Sequence, residues 1–441
     1  MRSDPAAGGA HAPRLSYLET VRCLLRLGSE GRGAKLGLER MERLLERLDH
    51  PERAFPSVHI AGTNGKGSTA ALAEAGLRAA GFRAGLYTSP HLVRINERIQ
   101  TGGQEISDAD FCLAVQPVFA AVEQLLAEGT IDGHPSFFEC VTAAAFCHFR
   151  RSAVEYAVIE VGLGGRLDAT NLVWPKVTVI TPIDFDHEAF LGNKTGAIAA
   201  EKAGIFKRGV PAVLAPQRRE AQDALEARRR QLGIPAVEVG SDWRAEQVTH
   251  RDGYYRFVAA GPAGKTVRAE LGLAGEHQVT NALTAIAALD LLGVDAGAIE
   301  VGVRNARWPG RLERVGDAPL LLLDGAHNPA GARALVRYLT QHQAGRRVWL
   351  IYAALRDKAV EEVAGILFPT AHQVLLTGVS QPRGLRPEAL AAIAGHHHPR
   401  WEIAGNLSEA LARARARAGS ADLILVTGSL FLVGEAKAIL G

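Results

Sequence analysis

Short, unbroken apolar runs bounded by Gly, Pro and Asp recur along the chain, separated by longer stretches rich in Ala, Leu and Arg. The runs SVHIAG (57–62), YAVIEVG (156–162), VTVIT (177–181) and PAVLAP (211–216) predict buried strands. Residues 68–80, 108–128 and 137–150 predict helices. Strands alternating with helices favour a parallel sheet covered on both faces. Residues 243–270 break this rhythm: RDGYYRFVA and KTVRAELG predict a small antiparallel hairpin or meander appended to the first unit. The helix 278–292 returns to that unit. A Gly-, Pro- and Arg-rich stretch, NARWPGRLE (305–313), reads as a linker. The α/β rhythm restarts with LLLLDGAHN (320–328), RVWLIYAAL (347–355), HQVLLTG (372–378) and DLILVTGS (422–429). Two α/β domains are expected, one over 15–304 and a smaller one over 305–441, with 1–14 a flexible tail.

Composition narrows the partners. Fifty basic residues stand against 47 acidic ones, a formal charge of +3, so the balance implies no polyanion and leaves nucleic-acid binding unsupported. Cys23, Cys112, Cys140 and Cys147 form no C-x-x-C pair and sit mostly in apolar helix-like text, which fits a reduced, cytoplasmic compartment. No apolar run of the ~20 residues needed to cross a bilayer is evident. The opening MRSDPAAGGAHAPR lacks the apolar core of a secretion signal. A soluble protein is therefore expected, without a membrane partner.

Candidate chemistry gathers where the apolar runs end. HIAGTNGKGSTAAL (59–72) passes from a strand through a glycine-rich turn into a helix. Such a turn points backbone N–H groups and the positive end of a helix dipole at an anion. Lys66 would supply a point charge, and Ser68 and Thr69 open the helix with hydroxyls. The spacing departs from the common phosphate loop, which has four residues between its first Gly and the Gly-Lys pair. Here Gly62 and Gly65 are two residues apart, and Gly67 separates Lys66 from Ser68. Three glycines around one lysine still argue for a nucleotide site over a plain turn.

Three more clusters follow. In EVGLGGRLDATN (160–171) the glycines do not complete a dinucleotide fingerprint, because its third glycine position is Leu167. Glu160 ends an apolar strand, either in solvent or at the crevice where an open parallel sheet binds ligands. Asp186-His187 follows the run 177–181 and should reach the same edge, where a carboxylate and an imidazole beside phosphates can hold Mg²⁺. Lys202, in AIAAEKAGIF, reads from spacing alone as a surface lysine. Asp324 and His327 end the run 320–323, facing either a cleft or a capped turn. His396, His397 and His398 are consecutive, so all three cannot face one ion from a regular element, and a solvated loop is expected.

Taken together and in order, GTNGKGS (62–68), YTSPHLVRINERI (87–99), SFFE (136–139), EVGLGGRLDATN, DHEAFLG (186–192), IAAEKAGIFK (198–207), GEHQVTNA (275–282), RWPGRLE (307–313) and LLDGAHNP (322–329) resemble the folylpolyglutamate synthase/dihydrofolate synthase family of the Mur ligase superfamily. The resemblance runs from about residue 15 to the end, and GTNGKGS is similar to that family's form of the phosphate loop.

The resemblance implies a P-loop parallel-sheet ATPase domain followed by a Rossmann-like α/β domain. It also implies an ATP-dependent amide ligase that adds L-glutamate through an acyl phosphate; members of the family add it to dihydropteroate, extend folate tails alone, or do both, and both activities are expected here. It assigns Thr63, Asn64, Gly65, Lys66, Gly67, Ser68, Thr69, Asn281, Arg311 and Asp324 to ATP. Ser89, Glu160, His187 and Lys202 match metal ligands for Mg²⁺, with Lys202 carbamylated. That match replaces the surface reading of Lys202. Ser136, Phe137, Phe138, Glu139, Leu167, Asp168 and Ala169 match the pterin-holding stretches, and Lys66, His187, Lys202, Asp324 and His327 form the catalytic set. A monovalent cation such as K⁺ and a monomeric state go with the family.

One departure stands out: PIDFDH (182–187) replaces the small polar pair and glycine usual before Asp-His in relatives. Two other readings fit the chain less well. A peptidoglycan-precursor ligase would place a separate domain before the phosphate loop, whereas about sixty residues precede Gly62. A nucleotide-binding regulator without catalysis would be expected to lose Glu160, His187, Lys202 or Asp324, and all four are present.

Overall fold

The computed structural model describes residues 15–27, 37–184 and 194–440. The 1–14 tail and the Asp186-His187 pair lie outside them. In the first half, β1 (Ser57–Ala61), β2 (Ala84–Tyr87), β3 (Ile99–Thr101), β4 (Gln104–Glu105), β5 (Tyr156–Glu160), β6 (Val177–Ile180), β7 (Ala212–Leu214) and β8 (Ala236–Glu238) form one sheet. Their order is β4-β3-β2-β5-β1-β6-β7-β8. All neighbours from β2 to β8 are parallel, and β3 and β4 add an antiparallel edge.

The unbroken apolar text follows from two-sided burial. Val58, Ile60, Val158 and Val179 pack on one face with Leu72 and Leu77 of the helix Lys66–Ala79 and with Ile286 and Leu289 of the helix His277–Leu291. Tyr87, Ala157 and Ile159 face the other side, against Phe111, Phe146 and Phe149. Phe111 belongs to the helix Asp108–Ala127, which by length and composition is apolar enough to cross a bilayer, contrary to expectation. Its Val115, Val118, Val122 and Leu125 are buried in this same cluster, so one face of the helix packs within the protein.

Residues 243–270 deliver the expected meander: β9 (Arg244–Arg251), β10 (Tyr254–Ala260) and β11 (Thr266–Ala274) are antiparallel. Asp252 and Gly253 turn between β9 and β10 with positive φ of 53° and 85°, the hairpin geometry that Asp-Gly favours.

After the helix Ala296–Asn305, β12 (Glu313–Asp317), β13 (Leu320–Leu323), β14 (Val348–Tyr352), β15 (Gln373–Leu376), β16 (Trp401–Ile403) and β17 (Leu423–Thr427) form a second sheet, ordered β12-β13-β17-β14-β15-β16. It is parallel except for β12. Both parallel sheets turn the carboxyl ends of their central strands toward one shared cavity of about 1350 Å³.

Candidate active site

Four neighbouring strands of the first sheet, β2, β5, β1 and β6, set the lower wall of this cavity. The register pairs Ile60 with Glu160, so the turn after β1 and the carboxylate at the end of β5 emerge side by side. This is where an open parallel sheet binds ligands. Gly65 forms the N-terminal boundary of the helix Lys66–Ala79 with φ of +85°, and no side chain caps that helix. Its first N–H groups are left for an anion. A side chain at Gly65 would collide with Asn281, which reaches the loop from the helix His277–Leu291. Asn281 is held by Gln278, with Nδ2 donating to Oε1 at 2.9 Å, and Gln278 Nε2 lies 3.4 Å from Ser68 Oγ.

The unusual PIDF segment braces this loop. Thr63 N and Asn64 N both donate to the Pro182 carbonyl at 3.1 Å, and Thr63 Oγ1 donates to the Asp184 carbonyl at 2.9 Å. Lys66 Nζ stands 4.0 Å from Glu160 Oε1, and Ser89 N donates to Glu160 Oε2 at 3.2 Å. Glu160 is fully enclosed, and burial raises its pKa against the lowering pull of Lys66 and the Ser89 amide. A divalent cation would relieve that cost, so a buried carboxylate beside Ser89 fits a metal. Lys202 is buried as well, not a surface lysine: its Nζ donates to the Gly62 carbonyl at 2.8 Å. Lys202 thus meets the phosphate loop from behind.

The second sheet supplies the opposite wall. Asp324 follows β13, and its two carboxylate oxygens accept from Leu312 N and Ala326 N, each at 3.0 Å. Burial raises the Asp324 pKa and lowers that of Arg311, while each charge opposes the other's shift. Any side chain at Gly325 would displace the Arg311 guanidinium, which explains the glycine in DGAHN. His327, whose Nδ1 contacts the Gly325 carbonyl at 2.8 Å, also lines the cavity. Asn328 was not singled out from sequence, yet its Nδ2 donates to Asn64 Oδ1 at 2.9 Å and joins the two walls.

The pterin-matching residues divide. Ser136, Phe138, Glu139, Leu167, Asp168 and Ala169 line the cavity. Phe137 does not: it is buried in the core, with the Arg98 guanidinium 5.2 Å from its ring centroid. Ser136 and Glu139 form a capping box at the start of the helix Phe137–Arg151, which fixes where Phe138 projects. Asp168 Oδ2 accepts from Leu163 N at 2.9 Å and Oδ1 from Thr170 N at 3.0 Å, so its carboxylate holds the loop together. Thr69 lies beneath the loop, outside the cavity lining, with a buried Oγ1 lacking a partner among the described residues. Sequence reasoning missed Gln278, Asn328, and also Trp308, whose ring closes over Gly67. Each stood in a quoted motif, but nothing in the motif text distinguished it from its neighbours.

Comparison with known proteins agrees with this geometry. Residues 60–289 match the Mur ligase middle domain, and residues 310–430 match the Mur ligase glutamate ligase domain. The dihydrofolate synthase/folylpolyglutamate synthase of Bacillus subtilis is 34% identical over 414 residues, spanning 92% of this chain and 95% of the relative. The structure of Mycobacterium tuberculosis folylpolyglutamate synthase complexed with ADP and AMPPCP superposes with a TM-score of 0.90 at 34% identity, covering 96% of this chain and 98% of that one. The bifunctional folylpolyglutamate synthase/dihydrofolate synthase from Yersinia pestis, complexed with AMPPNP and a Mn ion, gives 0.83 at 32% identity over 96% and 98% of the two chains. The chain belongs to the Mur ligase family, among the dihydrofolate synthases/folylpolyglutamate synthases, which are ATP-dependent ligases.

Proposed function

We propose that this protein carries out both half-tasks of its family, joining L-glutamate to dihydropteroate and to the γ-carboxylate of reduced folates. The observation that carries the reading is the facing of two strand-end crests across one cavity. The phosphate loop, Glu160 and the Ser136–Ala169 wall lie on one side, and Arg311, Asp324 and His327 on the other. A carboxylate is a poor electrophile, and phosphorylation gives it a leaving group. Its oxygen attacks the γ-phosphorus of ATP, forming the acyl phosphate and releasing ADP. The glutamate amine then adds to the acyl carbon, and the tetrahedral adduct expels inorganic phosphate as the nitrogen loses a proton.

In this reading residues 15–304 bind ATP and pterin, and residues 305–441 complete the site for glutamate transfer. The protein positions reactants and neutralises charge. Lys66 and the helix N-terminus hold the phosphates, with Ser68 at their edge. Arg311 and Asp324 close on the nucleotide from the second wall. Ser89, Glu160 and Lys202 would hold Mg²⁺, together with His187, which lies outside the described residues. That ion would draw charge from the phosphate oxygens as the carboxylate approaches. Lys202 would take part as its carbamate, an anion suited to a cation where an ammonium is not. We assign the working form as a monomer in the cytoplasm.

The test offers purified protein MgATP and L-glutamate with dihydropteroate in one reaction and a reduced monoglutamyl folate in another, following ADP and product mass. One added glutamyl unit in both is expected. Gain in only one reduces the assignment to that activity, and no gain in either overturns the substrate class. In the same assay Lys202→Ala should lower turnover by about 100-fold or more with the fold intact. Undiminished turnover would remove Lys202 from the metal site.

A further inference from the structure

The three consecutive histidines are not the uniform solvated loop expected of them. They close the helix Pro387–Ala394 in a tight turn, Gly395–His397, and their side chains part company. His398 is buried, with Nε2 3.1 Å from the Ala371 carbonyl and Nδ1 3.1 Å from the Arg400 amide. That anchoring leaves His396 and His397 on the outer side. Both turn to one carboxylate: each Nε2 lies 3.1 Å from Glu361 Oε1. Their rings lie close together, with centroids 4.0 Å apart and planes inclined at 40°. All three donor atoms fall within 4.8 Å of one another.

Those separations suit a metal. Ligand atoms in a tetrahedron around a zinc-like ion, with bonds of about 2.0–2.1 Å, stand about 3.4 Å apart. Two of the three separations here are a few tenths of an ångström shorter. A second observation comes from the helix Val360–Leu367, which carries Glu361 in its first turn. Gly365 lies four residues on, on the same face. A Cβ there would stand 3.2 Å from His397 Cε1, so the glycine leaves the helix face open to the imidazole. Mid-helix glycine costs roughly 1 kcal/mol against alanine, and its location under the ring gives that cost a reason.

We propose that Glu361, His396 and His397 form a surface site for one divalent transition ion of the zinc class, with water in the fourth position. Two imidazoles and a carboxylate suit zinc, nickel or copper rather than magnesium. The ion would fasten the turn Gly395–His397 to the helix Val360–Leu367 and stabilise the second half by preferential binding to the folded chain. The site is separate from the cavity and independent of the proposed ligase chemistry.

The test titrates Zn²⁺ into the full chain against a chromophoric competitor, with MgATP saturating the cavity, and repeats the titration with Co²⁺ to read the visible bands of a tetrahedral site. One ion with His-type bands is expected. His396→Asn/His397→Asn should weaken binding at least tenfold while leaving ligase turnover unchanged, and Glu361→Gln should also weaken it. Binding that survives the double substitution, or no Zn²⁺ binding by the unaltered chain, overturns the site.

Discussion

His59 lies in the middle of β1, one residue before Ile60, and is fully enclosed. Its Nε2 meets Thr170 Oγ1 at 2.8 Å, while Nδ1 has no partner among the described residues. Burial, aided by the charge of Lys207, pushes its pKa down to about 3. The folded protein therefore keeps this imidazole neutral where an unfolded chain protonates it, below about pH 6.5. With more protons on the unfolded state, stability falls as pH falls from about 6.5 toward 3. Glu160 and Asp324, whose pKa values are raised, act in the opposite sense, so the histidine must be isolated by difference. Relative to His59→Gln, the unaltered chain should lose about 1.4 kcal/mol more unfolding free energy per pH unit between pH 6 and 4, read from urea titrations. Parallel curves would mean that His59 titrates alike in both states. At this scale the sequence is an uneven guide. Glu160 and Asp324 were legible because each ends an apolar run. Burial of Lys202 was not, because its helix text matches that of any amphipathic surface helix, and Phe137 could not be told from Phe138 without knowing which way the capped helix turns.

The turn linking β1 to the helix Lys66–Ala79 shows how an element was readable despite its odd spacing. Three glycines mark a backbone that must approach something closely, and the structure supplies the reasons. Gly65 adopts a left-handed φ beside Asn281, and Gly67 sits under the Trp308 ring, where a Cβ would come within 2.8 Å. Gly65→Ala would force an L-residue into that conformation, at about 1–2 kcal/mol, and push Asn281 away. ADP affinity should fall at least tenfold by calorimetry, with a lower Tm; unchanged affinity would detach this turn from nucleotide binding. Strands with unbroken apolar text were legible, whereas β2 was not. Gly85 replaces an apolar residue there because a Cβ would stand 3.0 Å from the Phe149 ring, which dilutes the pattern. β8 and β16 are three-residue edge strands with half-exposed positions, too short to show any period.

The relation between the two sheets is the least legible property of the molecule, because it rests on pairs far apart in the chain. Asn64 and Asn328 are 264 residues apart, yet their amides meet at 2.9 Å. Arg333 reaches Asp184 at 3.8 Å and Arg337 reaches Glu276 at 3.8 Å, so the helix Pro329–His342 lays one stripe of side chains on the first half. The two ion pairs involve half-exposed or exposed arginines and add little holding energy under ordinary salt. The amide pair differs in kind, since it ties the phosphate loop to the residue that caps this helix, where Asn328 Oδ1 accepts from Gly331 N at 2.8 Å. A chemical step that needs groups from both walls depends on their spacing, so the bond should matter more to turnover than to stability. Asn328→Asp separates the two roles: aspartate retains the cap but cannot donate to Asn64. Loss of that donor, worth about 1 kcal/mol, should lower kcat about fivefold while moving Tm by no more than ~2 °C. If kcat held and Tm fell instead, the amide pair would be a structural brace, and the alignment of the two crests would depend on the linker around Trp308 and Arg311.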